Sequence, residues 1–386
     1  METLASYASA IWCAVAIELV GLWTVLQHFV ENCLLSGPLR KCLAKPLDDR
    51  PSDPERTTRT TRTTRTKVAI VTGANRGLGL AITETLVRRG VHTLLLCRNR
   101  SAAESAVNSL FDDPISRARL IQRCTIIQVD LSSFASVQKA VSDAVLVLMR
   151  MGTRLDYIVA NAGILDPTTF RTGQDGYELQ LQVNTLSHIL LIHLLLKAGV
   201  VRDSPASRIL SVSSFAHHGF TYLEEGESTR GDPLLTNPAA YHPKLAYARS
   251  KWYQILLMQS LSVTIEKTYG IRCTCTAVNP GALYTDMARA YCKGEFPESC
   301  RWISDPILEV LMGRFLRRTK TAASLVLAVL TANAADVNGR YMYARIFLGP
   351  TGQIGWRAYQ QYRSKMDWND VVKKISCHLP ASRRDE

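Results

Sequence analysis

The sequence predicts an α/β fold, a doubly wound parallel sheet in one domain, preceded by a hydrophobic N-terminal helix. Three observations carry this. From residue 67 onward, short runs of Val, Ile and Leu alternate with amphipathic stretches of helical period. The first of these runs passes directly into a glycine-rich turn. An apolar stretch over residues 5–30 stands apart from the alternation, separated from it by a segment with no apolar period.

At 386 residues the chain has room for one large α/β domain with appendages, or for two ordinary domains. Its formal charge of +13 favours anionic surfaces, either nucleic acid or the cytoplasmic leaflet of a membrane. No nucleic-acid motif or aromatic-basic interleaving accompanies the charge, so no nucleic-acid partner is expected. The 10 cysteines lack CxxC pairs and Cys/His spacing, which leaves neither a metal site nor a disulfide framework, and they read as reduced and cytosol-facing.

Residues 1–35 form the first unit. Trp12, Val15, Ile17, Val20, Leu22, Trp23 and Leu26 lie in an apolar run long enough for one membrane crossing. Glu18 interrupts it at a cost, so an interfacial helix and a buried core helix stand beside the membrane anchor as readings. Arg40, Lys41 and Lys45 follow, which places the remainder of the chain in the cytosol. Residues 36–66 read as a disordered basic linker containing an Arg-Thr-Thr repeat at Arg56, Arg59, Arg62 and Arg65. It is either a tether against anionic headgroups or a solvated spacer.

The domain spans residues 67–350. Residues 67–72 are a buried strand, followed by Gly73, Ala74, Asn75, Arg76, Gly77, Leu78 and Gly79 and a helix to about residue 89. The glycines let backbone approach a phosphate, and the helix N-terminus offers free amides. Residues 91–97 form a second strand, 101–111 a helix, and 124–129 a third strand ending at Asp130 and Leu131. A helix over 133–150 leads to a fourth strand, 155–160, ending at Asn161, Ala162 and Gly163. In parallel sheets ligands bind beyond the carboxyl ends of strands, where these residues sit. A helix over 177–197 carries Asn184 as an isolated amide, which in a helix usually faces water. The fifth strand starts at Arg208 and ends in Ser213 and Ser214, with His217 and His218 beyond it. A loop with Glu224, Glu225 and Glu227 leads to a helix holding Tyr247 and Lys251. The sixth strand, 271–278, is closed by Asn279, Pro280 and Gly281, with Thr285 and Asp286 after it. The sequon Asn99-Arg100-Ser101 is read as chance in a cytosolic chain.

Tyr247 is the only one of 14 tyrosines with a lysine four residues later, which puts phenol and ammonium on one helical face. A neighbouring cation favours phenolate, so the pair suits acid/base chemistry near neutral pH. At the end of the second strand the chain has Cys97-Arg98-Asn99-Arg100 and no carboxylate for a ribose hydroxyl. Arg98, with Arg76 in the glycine turn, offers a cationic pocket for a 2′-phosphate, which favours NADP(H) over NAD(H).

Thr72-Gly73-Ala74-Asn75-Arg76-Gly77-Leu78-Gly79, Asp130-Leu131, Asn161-Ala162-Gly163, Asn184, Val212-Ser213-Ser214, Tyr247 with Lys251, and Pro280-Gly281, in that order, resemble the short-chain dehydrogenase/reductase family over residues 67–345. Val212-Ser213-Ser214-Phe215-Ala216-His217-His218 and Ala277-Val278-Asn279-Pro280-Gly281 resemble its retinol-dehydrogenase-like branch, which includes membrane-tethered members acting on hydrophobic alcohols and carbonyls. The resemblance implies a Rossmann-type domain and an NADP-dependent oxidoreductase acting on CH-OH donors. It makes Tyr247 the general acid/base, gives Lys251 the tasks of lowering the Tyr247 pKa and binding the nicotinamide ribose, and has Ser214, or failing it Ser213, orient the substrate. Asn184 is implied to support the site and a water relay to Lys251. Thr72, Gly73, Asn75, Arg76, Gly77, Leu78 and Gly79 would cradle the diphosphate, with Arg98 as above. Asp130 and Leu131 would meet the adenine, Asn161 to Gly163 the adenosine side, and Pro280, Gly281 and Thr285 the nicotinamide.

The expected partners are a lipophilic small-molecule substrate (retinoid, steroid, fatty or polyprenoid) and a membrane through residues 5–30; a homodimer is compatible with the chain. The expected location is the endoplasmic reticulum or lipid-droplet membrane, with the catalytic domain facing the cytosol. The other reading of function is a non-catalytic NADP(H)-binding scaffold tethered to a membrane. His217 and His218 either touch substrate or simply pack. Residues 282–320 stand where the family's substrate lobe lies and are apolar enough for a pocket wall or a membrane-dipping helix. The tail, 351–386, falls outside the resemblance and has no assigned role.

Overall fold

A computed structural model of the chain describes residues 65–110, 114–166, 169–217, 234–281, 283, 285–287, 316, 318–343 and 367–378. The N-terminal apolar run, the linker up to residue 64, His218, the acidic loop and most of residues 282–320 lie outside the described residues.

Strands β1 (Val68–Thr72), β2 (His92–Cys97), β3 (Cys124–Gln128), β4 (Tyr157–Ala160), β5 (Arg208–Val212), β6 (Thr274–Asn279) and β7 (Tyr341–Tyr343) form one sheet in the order β3-β2-β1-β4-β5-β6-β7. Every pairing is parallel. All residues of β1, β5 and β6 are buried, as expected of strands covered on both faces. β7 was not expected: with only three residues it is too short to show a pattern.

Helices α1 (Gly77–Arg88), α2 (Arg100–Ser109), α3 (Pro114–Ile121), α4 (Phe134–Arg150), α5 (Leu179–Lys197), α6 (Pro243–Tyr269), α7 (Thr319–Thr331) and α8 (Trp368–Ser376) surround the sheet. Leu78, Ile82 and Leu86 of α1, Val107 of α2, and Val326 and Leu330 of α7 fill one core. Leu148 of α4, Leu190 and Leu195 of α5, Leu256 and Leu261 of α6, and Trp368 and Ile375 of α8 fill the other. Helix α5 is long and apolar enough to cross a membrane, but it is mostly buried in this second core. Helix α6 starts at Pro243, whose missing N–H costs nothing in a first turn, and stops at Gly270, which takes the left-handed conformation at φ 65°.

Two edges of the sequence reading shift. Arg65, the last arginine of the Arg-Thr-Thr repeat, is bound to the domain: its guanidinium donates to both oxygens of buried Asp156, at 3.0 and 2.5 Å. Asp156 also accepts from Arg202 Nε at 3.1 Å and from the Val68 amide at 2.9 Å, and these partners hold its carboxyl below the ordinary range although burial alone would raise it. The segment set apart as a tail contributes α8, whose Trp368 is fully buried and donates its indole N–H to Tyr269 Oη at 2.9 Å.

Candidate active site

The strand order switches between β1 and β4, from β3-β2-β1 on one side to β4-β5-β6-β7 on the other, and the crevice at their carboxyl ends is built first by the glycine turn. Gly73 and Gly77 have φ of 64° and 54°, conformations that L side chains rarely adopt. Gly79 is required for a different reason: a Cβ there would stand 2.2 Å from the Gly73 carbonyl oxygen and 2.6 Å from Asn161 Nδ2. Asn161 in turn donates Nδ2 to the Thr72 carbonyl at 2.9 Å, so turn and strand end are locked together. No side chain caps α1 and its first turn holds no acidic residue. The turn thus presents backbone amides and a positive dipole end with no acidic residue in the first turn of the helix, which fits a diphosphate.

Thr72 is the hub beneath this turn. Its buried Oγ1 accepts from the amides of Asn161 and Ala162, each at 2.9 Å, and pairs with His188 Nε2 at 2.8 Å. His188 Nδ1 lies 2.8 Å from the Asn184 carbonyl, which only accepts, so Nδ1 carries the proton. Burial holds His188 down to about 4, hence neutral, and its bare Nε2 receives the Thr72 hydroxyl proton.

Arg76 and Arg98 are exposed, and among the described residues neither has a carboxylate partner. Arg98 lines a solvent-open hollow of about 650 Å³ with Asn99, Arg100, Ser101, Glu104 and Gln128. Arg100 is engaged by Glu104 at 3.0 Å, whereas Arg98 has no such partner among the described residues. Asp130 Oδ1 accepts from the amide and hydroxyl of Ser132, at 2.9 and 2.8 Å. Leu131 is buried, and its carbonyl accepts from Ser187 Oγ at 2.6 Å. Asn75, Ala162 and Gly163 are half-buried along the same crevice. At the end of β6, buried Pro280 is followed by Gly281 at φ 86°, whose amide donates to Asn279 Oδ1 at 3.0 Å. The Thr285 side chain is 3.9 Å from the position of a Cβ on Gly77, so these two segments face each other.

Asn184, Ser214, Tyr247 and Lys251 come together at the other side of the crevice. Asn184 is fully buried rather than solvent-facing. Its Oδ1 accepts from the Ile164 amide at 2.8 Å, and its Nδ2 donates to the Ile164 carbonyl at 3.0 Å and to Ser250 Oγ at 2.9 Å. It lies in a π-helical turn of α5, Gln182–Leu186, a local widening often found at functional sites. The two adjacent serines separate cleanly. Ser213 is buried and donates its hydroxyl to the Lys251 carbonyl at 2.8 Å, whereas Ser214 Oγ accepts from the Ala216 amide at 3.3 Å and acts on the Tyr247 phenol by lowering its pKa.

Tyr247 and Lys251 share a face of α6, with Nζ 5.6 Å from the tyrosine ring centre. The expected depression of the tyrosine is not what the geometry gives. Lys251 Nζ donates to the Val212 carbonyl at 3.0 Å and to Gln254 Oε1 at 3.2 Å. Desolvation pushes Tyr247 up to about 12, against a smaller lowering by Ser214, and pushes Lys251 down to about 7. The phenol is therefore protonated at neutral pH. Its hydroxyl also donates to Met287 Sδ at 3.8 Å.

His217 packs. Its ring stacks on Trp252 at 5.6 Å, meets Tyr341 edge-on at 5.0 Å, and its Nδ1 donates to the Ser214 carbonyl at 2.7 Å. Sequence reasoning missed His188, Ser250 and Gln254, all of which touch the site residues. Of these, Ser250 and Gln254 fall within one turn of Lys251 on the same helix, a proximity that the sequence does display.

Comparisons with known proteins follow the same lines. A family model described as short chain dehydrogenase matches residues 67–222. Retinol dehydrogenase 11 of Mus musculus is 31% identical over 325 residues, covering 81% of this chain and 86% of its own length. Retinol dehydrogenase 14 of Mus musculus is 32% identical over 234 residues, 58% of this chain. The chain matches only 63% of the length of that relative and of its Homo sapiens counterpart. Among solved structures, a short chain dehydrogenase from Burkholderia cenocepacia in complex with NADP superposes with a TM-score of 0.51 at 23% identity, over 72% of this chain and 95% of that one. An actinorhodin polyketide ketoreductase with NADPH gives 0.52 at 18% identity, over 72% and 95%. At such identities these two likenesses speak for the fold alone.

Proposed function

The chain belongs to the short-chain dehydrogenase/reductase family and to its retinol-dehydrogenase-like branch, and on that premise we propose that it interconverts a lipophilic alcohol and its aldehyde or ketone with NADP(H), Tyr247 serving as general acid and base. The observation that carries the proposal is the Tyr247 phenol itself. It stands beside Ser214, whose hydroxyl lowers its pKa, one helical turn from Lys251, whose Nζ is 5.6 Å from the ring centre.

In the reductive direction Ser214 and Tyr247 hold the substrate oxygen between two hydroxyl groups, and Tyr247 gives that oxygen its proton as negative charge develops there. A phenol held at about 12 is fully protonated at neutral pH, the state an acid needs. In the oxidative direction the substrate hydroxyl gives its proton to the Tyr247 phenolate, the minor form at neutral pH for a phenol held at about 12, so the site favours the reductive direction. When bound, the dinucleotide supplies or takes the hydride at the carbonyl carbon. Lys251 Nζ stands 5.6 Å from the tyrosine ring centre and would bind the nicotinamide ribose hydroxyls. Asn184 bolts the strand end at Ile164 to α6 and so fixes the spacing of the site.

The residues present fit the cofactor. A Cβ on Gly79 would strike the Gly73 carbonyl and so displace the turn, no acidic group lies in the first turn of α1, and Thr72, Gly73, Asn75, Arg76, Gly77 and Leu78 make up the rest of the turn. On this reading Asp130 and Leu131 bound the adenine, Asn161 to Gly163 the adenosine side, and Pro280, Gly281 and Thr285 the nicotinamide side. The preference for NADP(H) is supported by the guanidinium groups of Arg76 and Arg98, which have no carboxylate partner among the described residues, and by the lack of a carboxylate in the sequence at the end of β2. The apolar Met287 beside the phenol, and relatives named as retinol dehydrogenases, support a retinoid-like substrate. The apolar run at 5–30 supports a membrane-held enzyme whose domain faces the cytosol.

The test is NADPH consumption by the full chain, purified in micelles, with lipophilic aldehydes and ketones that include a retinal. Tyr247→Phe should lower kcat by about 100-fold or more while NADPH still binds. NADPH binding with no turnover of any carbonyl or alcohol would instead establish the scaffold reading.

A further inference from the structure

Gln254 does not belong to the residues that the resemblance marks, yet among the described residues it is the one side chain that hydrogen-bonds both Lys251 and the backbone of Asn184. Its Oε1 accepts from Lys251 Nζ at 3.2 Å, and its Nε2 donates to the Asn184 carbonyl at 2.5 Å. It is buried, at 3% exposure, so both bonds are made out of water. A second side chain, His188, reaches the same carbonyl through Nδ1 at 2.8 Å. Two donors use both lone pairs of that oxygen. A relay water between the carbonyl and Lys251 therefore has no acceptor left there.

We propose that Gln254 is a positioning residue for Lys251, standing where the family resemblance puts a water. This rests on reading Tyr247 and Lys251 as the proton-handling pair. A primary amide that accepts from an ammonium and donates to a carbonyl holds both ends still and passes no proton along. An ammonium has three donors. Val212 and Gln254 take two of them and leave the third for the ligand side of Lys251, toward Gly163, where a Cβ would stand 3.4 Å from Nζ. The network continues through His188 to Thr72 under the glycine turn, so the ammonium and the phosphate cradle are set by one chain of hydrogen bonds.

The experiment uses the full chain in micelles with lysines carrying a carbon-13 label, the Lys251 signal being assigned by its loss in Lys251→Met. Gln254→Met keeps the volume and removes the acceptor, so the Lys251 titration should fall by about one pH unit, with kcat down about tenfold and the alkaline limb of its pH profile moving the same way. Gln254→Glu puts a carboxylate in the same place and should move the titration and that limb upward. Opposite shifts follow from a direct bond to Nζ and not from a general loosening of the core. Unchanged titrations in both variants, or shifts in one direction, overturn the proposal. If Gln254→Met does not fold, the upward shift in Gln254→Glu decides alone. Wild-type protein that turns over no carbonyl would sink the enzymatic reading, while the lysine titration, which needs no turnover, still tests the contact.

Discussion

Replacing Gly79 by Ala separates the space that the glycine turn needs from the backbone freedom that glycine also provides. The added Cβ would lie 2.2 Å from the Gly73 oxygen and 2.6 Å from Asn161 Nδ2, inside ordinary contact near 3.5 Å by about 1 Å. Neither neighbour is the loose end of a flexible side chain. Gly73 donates its amide to the Leu96 carbonyl at 2.8 Å and sits at φ 64°, and the Asn161 amide is bonded to Thr72. The turn must shift, at a cost of about 1–3 kcal/mol for overpacking. Gly152→Ala is the control: nothing lies within 4 Å of its Cβ, but its φ of 60° gives a comparable penalty of about 1–2 kcal/mol. Both variants should therefore lose similar stability in urea titrations. Only Gly79→Ala should weaken NADPH, by about tenfold or more in a fluorescence titration, equivalent to about 1.4 kcal/mol. Equal NADPH affinity in the two variants would refute the assignment of this turn to the diphosphate.

Arg98→Ala should raise the Kd for NADPH about tenfold and leave NADH unchanged, as measured by calorimetry; an equal loss for both would remove Arg98 from the 2′-phosphate. Burial holds His188 at about 4 against an ordinary value near 6.5, so between those values the unfolded chain binds a proton that the native one does not. Native stability is accordingly lost as pH falls through that window, and His188→Gln should flatten the slope in urea titrations run at several pH values; His193, also held down to about 4, keeps its share of the slope. Trp368→Ala should cost about 3–5 kcal/mol of stability, because a fully buried indole and its bond to Tyr269 disappear together; a loss below about 1 kcal/mol would show that α8 is not part of the domain core.

The strands were legible because β-branched runs buried on both faces need no alternation to be recognised, and the spacing from Tyr247 to Lys251 put both on one face before any coordinates. Hydrogen-bond direction was not legible. Ser213 and Ser214 are chemically identical neighbours, and only the position of the Lys251 carbonyl tells them apart. Asn184 reads as solvent-facing in a regular helix, whereas the π turn and the Ile164 backbone absorb it completely. For Tyr247 the nearby cation was visible and the desolvation was not, so the sign of its shift came out reversed. Helix α8 is a different case. Trp368, Val371, Val372 and Ile375 have the spacing of one apolar helical face and could have been read from the sequence.

Arg65 grips Asp156 at the amino-terminal rim of the sheet, while Thr72, Asn161 and Tyr247 stand at the opposite rim. Any tension drawn through the residues before Arg65 is borne first by that clasp and by the Arg202 contact that backs it. It then runs along β1, whose hydrogen bonds to β2 and β4 lie crosswise to the pull and so resist it in shear, strand against strand. The clasp and the glycine turn occupy opposite ends of a strand about 16 Å long. A pull on that clasp leaves the spacing between glycine turn and phenol as the sheet has set it.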